Sequence, residues 1–515
     1  VIKMNKLKDK MTLHPIMTFI ILIAATIVIS GFLSLIGVEA TYNRVNPQTG
    51  ELISTLVSVE SLFSLSGLKY IFTSTVSNFA AFTPLSMLLI ILLGIGVMEK
   101  SGFLKTAFTL LTKVCKKNTI TFCLVFVAVV SSIGGDLGYI VLIPLAALLF
   151  KYGRRNPILG IIAAFAGLTC GSGISIMLTA IDSALMTSTL NSAAVIDINY
   201  SLGVFSYLFI MIIATVLVSF VVTLITEKIV AEKIGKYDFK EEEEEFEVGK
   251  KEIRGLVFGI GAAILYLLFI IYQIIPNLPF SGKFLDNSSS ANFYIDKLFS
   301  VDSFFSNGFI FIVLLLFVIL GLFYGFGAKT IKNNKEFAED LGHSLDEIGK
   351  IIVLIFFASV FINVFKKTEI GTVLTAVLAT SINTLNFSGI PLIILLFIIS
   401  AITTFFLPSP VAKWAILSGT AVPVLMSVNI SPEFAQVVFR FGESMTMGIT
   451  PVLAYFVIYL AYIDKYNDTE KPIALFQTIK YQMPYTFAVG GVLLLLLILW
   501  YLIGIPIGLG GIAII

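Results

Sequence analysis

Residues 205–225 read FSYLFIMIIATVLVSFVVTLI, without one charged side chain. About 20 apolar residues in an α-helix cross a hydrocarbon layer, and runs of the same kind occupy 16–37, 308–323 and 487–504. Backbone polar groups in lipid must be satisfied internally, so a span is either a helix or a strand of a closed barrel. Barrel strands alternate apolar and polar residues; these runs do not. Composition agrees: 57% of the 515 residues are hydrophobic and 13% are charged, against about 25% charged in a soluble domain. The chain is read as an all-α polytopic membrane protein forming one bundle.

A net charge of +2 gives no basic field for nucleic acid. Cys115, Cys123 and Cys170 make neither a metal spacing nor a disulfide framework, and His14 and His343 are the only histidines. Acyl-transfer triads, zinc boxes and Walker motifs are missing, so the chain is not read as an enzyme and no organic cofactor is expected. Transport by such a chain would run downhill or draw on a gradient of H+ or Na+. The run at 16–37 lacks a small-residue cleavage site and is read as a retained span. Basic clusters at 4–10, 112–118, 151–155 and 250–255 contrast with basic-poor loops at 39–60, 186–201 and 281–302. The positive-inside rule then puts the amino terminus in the cytoplasm and the protein in the cell membrane. The acidic run KEEEEEFE at 240–247 marks a cytoplasmic linker, 236–254, between a first half, 1–235, and a second, 255–515.

Two apolar tracts do not read as plain spans. LGIIAAFAGLTCGSGISIMLTAID, 159–182, is rich in Gly, Ser and Thr, and ISAITTFFLPSPVAKWAILSG, 399–419, carries two prolines. Irregular backbone at membrane depth is tolerated where protein buries it or a cavity wets it, and secondary transporters bind substrate and ions at such breaks. Close helix packing through small residues is the plainer alternative. Asp136 and Glu443 each follow a Gly or Gly pair and precede a proline by eight residues, Pro144 and Pro451. That shared spacing supports two related halves.

Ionisable groups inside a membrane are costly and mark function by default. Glu443 shares a helical face with Thr446, Met447 and Thr450, offering hard oxygen ligands to a small cation, with a sodium ion near Glu443 and Asp182 as the candidate metal. The alternative is a Glu443–Arg440 pair. Asp182, close to Thr179, Ser183 and Thr187, is a second candidate, or a solvated end. Asp136 is its partner or a helix cap. In the proline-rich tract Ser409, Lys413 and Trp414 are candidates for substrate contact, Lys413 toward a carboxylate and Trp414 toward an aromatic part. Both are equally ordinary as interface anchors.

At this point the residues carry a family resemblance. FAAFTPLSMLLIILLGIGVMEKSG, GDLGYIVLIPLAALLF, GRRNPILGIIAAFAG, the AID of 180–182, VTLITEKIVAEKIGKY, PVAKWAILSGTAVPVLM, SPEFAQVVFRFGESMTMGITPVLAYF and YIDKY follow one another from about residue 60 onward. In that order they resemble the AbgT family of p-aminobenzoyl-glutamate transporters. The resemblance implies about nine transmembrane helices with two re-entrant hairpins, an inverted-repeat, elevator-like transporter and a homodimer. It implies an aromatic or amino-acid-like carboxylate substrate and, in some members, export of sulfonamide antimetabolites. Functional positions carry over to Asp182, Trp414, Pro432 and Glu443. Glu443 stands where the usual pattern has Asp, and Val411, Met445 and Met447 replace more polar residues, which changes what a site accepts. A proton- or sodium-coupled dicarboxylate transporter is the alternative. A channel is disfavoured by the two broken tracts.

Overall fold

The computed structural model describes residues 13–46, 51–174, 176, 179–203, 205–235, 237, 239, 246–286, 288, 294–300, 302–346, 348–469 and 471–515. The basic cluster at 4–10, most of the acidic run at 240–247 and part of the stretch 172–178 lie outside them.

The chain is built from helices α1 (Pro15–Leu35), α2 (Leu65–Ala80), α3 (Thr83–Lys100), α4 (Phe103–Val114), α5 (Lys117–Val130), α6 (Leu137–Tyr152), α7 (Pro157–Cys170), α8 (Ala180–Ala193) and α9 (Leu208–Ile225). They continue with α10 (Lys250–Ile274), α11 (Tyr294–Phe299), α12 (Phe304–Ala328), α13 (Asn334–His343), α14 (Gly349–Lys367), α15 (Ile370–Thr384) and α16 (Ile390–Phe406). The last four are α17 (Pro410–Ser427), α18 (Pro432–Thr446), α19 (Phe456–Lys465) and α20 (Leu475–Ile503). Among the described residues eight helical stretches are long and apolar enough to cross a membrane, with four shorter apolar helices beside them.

The basic-poor loop at 39–60 folds into a two-stranded antiparallel hairpin, β1 (Glu39–Val45) and β2 (Leu52–Ser58), in register from Glu39↔Ser58 to Val45↔Leu52. β1 packs on α15 and α17. The sequence reading missed these strands.

Both irregular tracts break. The first interrupts helix between Cys170 and Ala180, where Gly171, Ser172 and Gly173 turn the chain. The second interrupts it between Phe406 and Pro410. Local chemistry fixes each restart. Thr179 and Asp182 form a reciprocal capping box on α8. Ser409 caps α17 and Ser431 caps α18, each with a proline in the first helical position, where its missing N–H costs nothing.

Packing then sorts the helices. α10 and α12 pack on each other, α12 also on α3 and α10 on α4, while Val257, Leu265 and Phe311 remain exposed for lipid. α7 is buried along its whole length and α18 from Pro432 to Ser444. α8 packs against α17 and α18, and α18 also against α16 and α20, so elements from both halves of the sequence meet at the centre.

The acid-to-proline spacing does not place its two copies alike. Asp136 precedes α6 and Pro144 lies inside that helix. Glu443 lies in the last turn of α18, and Pro451 follows the helix in a turn.

Candidate functional site

α18 carries Glu433, Gln436, Arg440 and Glu443 at helical spacing, a polar stripe on a helix that is otherwise apolar and buried. No polar group can lie dry without partners, and the stripe finds them across the molecule. The Tyr200 hydroxyl donates to Glu433 Oε2 at 2.6 Å. Thr189 of α8 donates to Gln436 Oε1 at 2.6 Å and accepts the Trp414 indole N–H at 2.8 Å. Arg440 Nη2 donates to the Ser172 carbonyl at 2.6 Å, and Ser444 Oγ accepts the Gly173 amide at 2.9 Å. A Cβ at Gly173 would run into the Arg440 carbonyl, so only glycine lets the first break approach α18 this closely.

Four buried charges sit at the end of this seam. Glu443 is bracketed by Lys413 Nζ, 3.2 Å from Oε2, and Arg440 Nη1, 3.2 Å from Oε1. Arg440 Nε lies 3.7 Å from Asp182 Oδ1, while Asp182 Oδ2 accepts the Thr179 amide at 3.1 Å and hydroxyl at 2.7 Å. Lys413 also donates to Thr404 Oγ1 at 2.5 Å. Two cations balance two carboxylates. Buried charges survive only when paired in this way, and deleting one partner costs about 3–5 kcal/mol.

Beside the charges lies a chamber of about 80 Å³, lined by Ser131, Ser132 and Asp136 of the first half, Ser172 and Thr179 of the first break, and Pro408, Pro410, Arg440 and Glu443 of the second half. Ser172 Oγ, Arg440 Nε and Glu443 Oε2 make no hydrogen bond among the described residues. The chamber has room for two or three waters, at about 30 Å³ each. Ligand pockets run from about 300 Å³, so an aromatic acyl-amino acid does not fit this conformation. A larger cleft, about 870 Å³, opens elsewhere between α1, α14 and α19, lined by His14, Lys350 and Asp464. It includes none of the site residues named from the sequence.

The structure therefore joins Lys413 to Glu443 directly and Glu443 to Asp182 through Arg440, with Asp136 in the wall of the same chamber. The other candidate residues have partners or places of their own. The hydroxyls of Thr446 and Thr450 donate to the carbonyls of Ala401 and Phe405, both at 2.6 Å. Lys413 meets Glu443 rather than an open cavity. Trp414 is fully buried, with its ring 4.6 Å from that of Phe439. Ser409 is the cap of α17. Pro432 starts α18, about 16 Å from Glu443 at 1.5 Å per residue. Among the described residues no cluster of three or more His, Cys, Asp or Glu side chains is placed for a metal ion. Glu433, Gln436, Thr189, Ser172 and Thr404 were not singled out from the sequence. The α18 stripe was the available signal, legible by stepping backward from Glu443 instead of forward.

A buried, charge-balanced seam at the junction of two broken helices, inside a bundle of membrane-length helices, defines a polytopic membrane transporter. The chain belongs to the AbgT putative transporter family, whose model matches residues 4–514. It is 28% identical over 497 residues to the p-aminobenzoyl-glutamate transport protein of Escherichia coli strain K12, covering 96% of this chain and 94% of that one. Among solved structures it is similar to the Alcanivorax borkumensis YdaH transporter, at 27% identity over 96% of this chain and all of that one, with a TM-score of 0.48. It is also similar to Neisseria gonorrhoeae MtrF, assigned to a class of antimetabolite efflux pumps, at 29% identity over 97% and 98% of the two chains, again with a TM-score of 0.48. Family and relatives are transporters, not enzymes.

Proposed function

We propose that this protein is an ion-coupled secondary transporter of p-aminobenzoyl-glutamate-like aromatic carboxylates. The observation that carries the proposal is the neutral set Asp182, Arg440, Glu443 and Lys413, sealed where the two helix breaks meet. In the structure both cations are held by the protein's own carboxylates and are not free for a substrate. A proton or a sodium ion taken up by Glu443 or Asp182 neutralises that carboxylate and releases Lys413 and Arg440 to meet the carboxylates of a substrate. Binding of ion and substrate is then coupled through one charge balance. Ser172 Oγ, which makes no hydrogen bond among the described residues, and Glu443 Oε2, held only by its ion pair with Lys413, are where the ion or its water would be received.

The small chamber supports transport by movement. Substrate enters only after the first break and its helices shift against the second, with Asp136 on the opposite wall. An elevator-like or rocking movement of the domain that holds both broken segments then carries the substrate across, with the linker 236–254 joining the halves 1–235 and 255–515. Trp414, held by Thr189 and Phe439, positions Lys413 rather than stacking on substrate in this state. We take the assembly to be a homodimer in the cell membrane with a cytoplasmic amino terminus, which cross-linking and reporter fusions test.

Uptake of labelled p-aminobenzoyl-glutamate into proteoliposomes, with sodium and pH gradients set independently, tests the function. Saturable, gradient-stimulated uptake is expected. Uptake of simple dicarboxylates with no competition from p-aminobenzoyl-glutamate would replace the substrate reading.

A further inference from the structure

The glycine-rich stretch near the end of the chain, GLGG at 508–511, has no part in the charge site, yet it is tightly held. Residues 505–515 run as a strap from the end of α20 between the two halves. On the first-half side the Phe209 and Ile210 amides donate to the Ile507 carbonyl at 3.0 and 3.1 Å, and the Leu509 amide donates to Phe205 at 2.9 Å. A Cβ at Gly508 or Gly511 would overlap the backbone of Phe205 and Ser206, so only glycine lets the strap lie this close. On the second-half side Ile514 bridges to Ile430. The Ser431 amide donates to Ala513 at 3.1 Å, and its hydroxyl donates to Ile512 at 2.5 Å.

Glu433 ties these parts together. It is 3% exposed, in the first turn of α18, where the helix dipole favours a carboxylate. One oxygen accepts the Tyr200 hydroxyl at 2.6 Å and the other accepts the Ile512 amide at 3.3 Å. Glu433 is also the first member of the stripe whose later members, Arg440 and Glu443, line the chamber. The seam is thus fastened at one end by Glu433, Tyr200 and the strap, and at the other by the charge network.

We propose that Glu433, Tyr200 and the 505–515 strap form a latch that closes this end of the seam. Glu433 is then a positioning residue for transport: the chamber opens toward this end only when the Tyr200 and Ile512 contacts are released. The inference rests on the transport reading. It goes beyond it by naming the contact that gates one side.

The test uses the full chain in proteoliposomes, with Cys115, Cys123 and Cys170 replaced and Ser172→Cys as a reporter in the chamber wall. The rate of modification by a membrane-impermeant maleimide is compared with and without Tyr200→Phe, Glu433→Gln and, separately, Gly511→Ala. A hydrogen bond to a charged group contributes about 1.5–3 kcal/mol, so Tyr200→Phe should raise the labelling rate at least about tenfold, with Glu433→Gln and Gly511→Ala moving it the same way. Thermal unfolding checks that each variant is folded. Tyr200→Phe removes a single hydroxyl and keeps the test decisive where Glu433→Gln fails to fold. Labelling that stays at the starting rate in folded Tyr200→Phe overturns the latch. Labelling is read without substrate, so absent flux in the unsubstituted protein would overturn the transport reading instead and leave the latch result standing.

Discussion

The two helix breaks solve the same problem with different chemistry. The first, between Cys170 and Ala180, turns on glycine and serine, and its acid, Asp182, is largely occupied by its own helix: Thr179 supplies two hydrogen bonds, and Arg440 stands off at 3.7 Å. The second, between Phe406 and Pro410, turns on prolines. The acid opposite it, Glu443, has no local cap and is gripped by two cations at 3.2 Å. An acid held by its own helix survives the loss of a distant partner. An acid held by opposite charges alone, Arg440 on its own helix and Lys413 from another, does not, and neither do the cations it balances. The first half therefore supplies a preformed wall, and the second supplies the charge that the proposed mechanism rearranges.

The largest expected effect comes from Glu443→Gln. It leaves Lys413 and Arg440 short of a carboxylate at full burial, and should cost about 3–5 kcal/mol in stability and abolish gradient-driven flux. Unfolding in detergent and proteoliposome uptake read the two effects. Pairing it with Lys413→Met removes the orphaned cation. The double variant should be less destabilised than the sum of the single variants, by about 1–3 kcal/mol, and simple additivity would break the claim that these two charges form one unit. Asp182→Asn should be milder for the fold, about 1 kcal/mol through its cap, yet still remove coupling to the ion gradient. A loss of stability as large as that of Glu443→Gln would erase the proposed contrast between the breaks. Smallest of all is Thr450→Val, which removes one hydroxyl bonded to Phe405. It should cost about 1 kcal/mol and leave the ion dependence of uptake as it was; a changed ion dependence would restore Thr450 as a ligand.

Much of this was legible in the sequence, for physical reasons. A long run such as 205–225 has one stable form in lipid, and Gly-Ser-Gly or Pro-Ser-Pro inside an apolar tract has few uses other than a break. Glu443 and Asp182 stood out because a carboxylate there needs a partner. Which partner was less accessible. Arg440 could be weighed from its spacing, but Lys413 reaches Glu443 from another helix and nothing local announces it. Thr446 and Thr450 share the face of Glu443 in an ideal helix, yet α18 ends at Thr446 and the neighbouring backbone of α16 claims both hydroxyls. The β-hairpin was missed because its polar residues resemble a loop until α15 and α17 give it a surface to pack on. The strap was missed because glycines in a terminal stretch show their purpose only against Phe205 and Ser206.

The most direct test of the central claim follows uptake of labelled p-aminobenzoyl-glutamate into proteoliposomes under an imposed sodium or proton gradient, for the unsubstituted protein, Glu443→Gln and Asp182→Asn. The account predicts gradient-stimulated uptake in the first and no stimulation by either gradient in the two folded variants. Equal gradient-stimulated uptake in all three would contradict it.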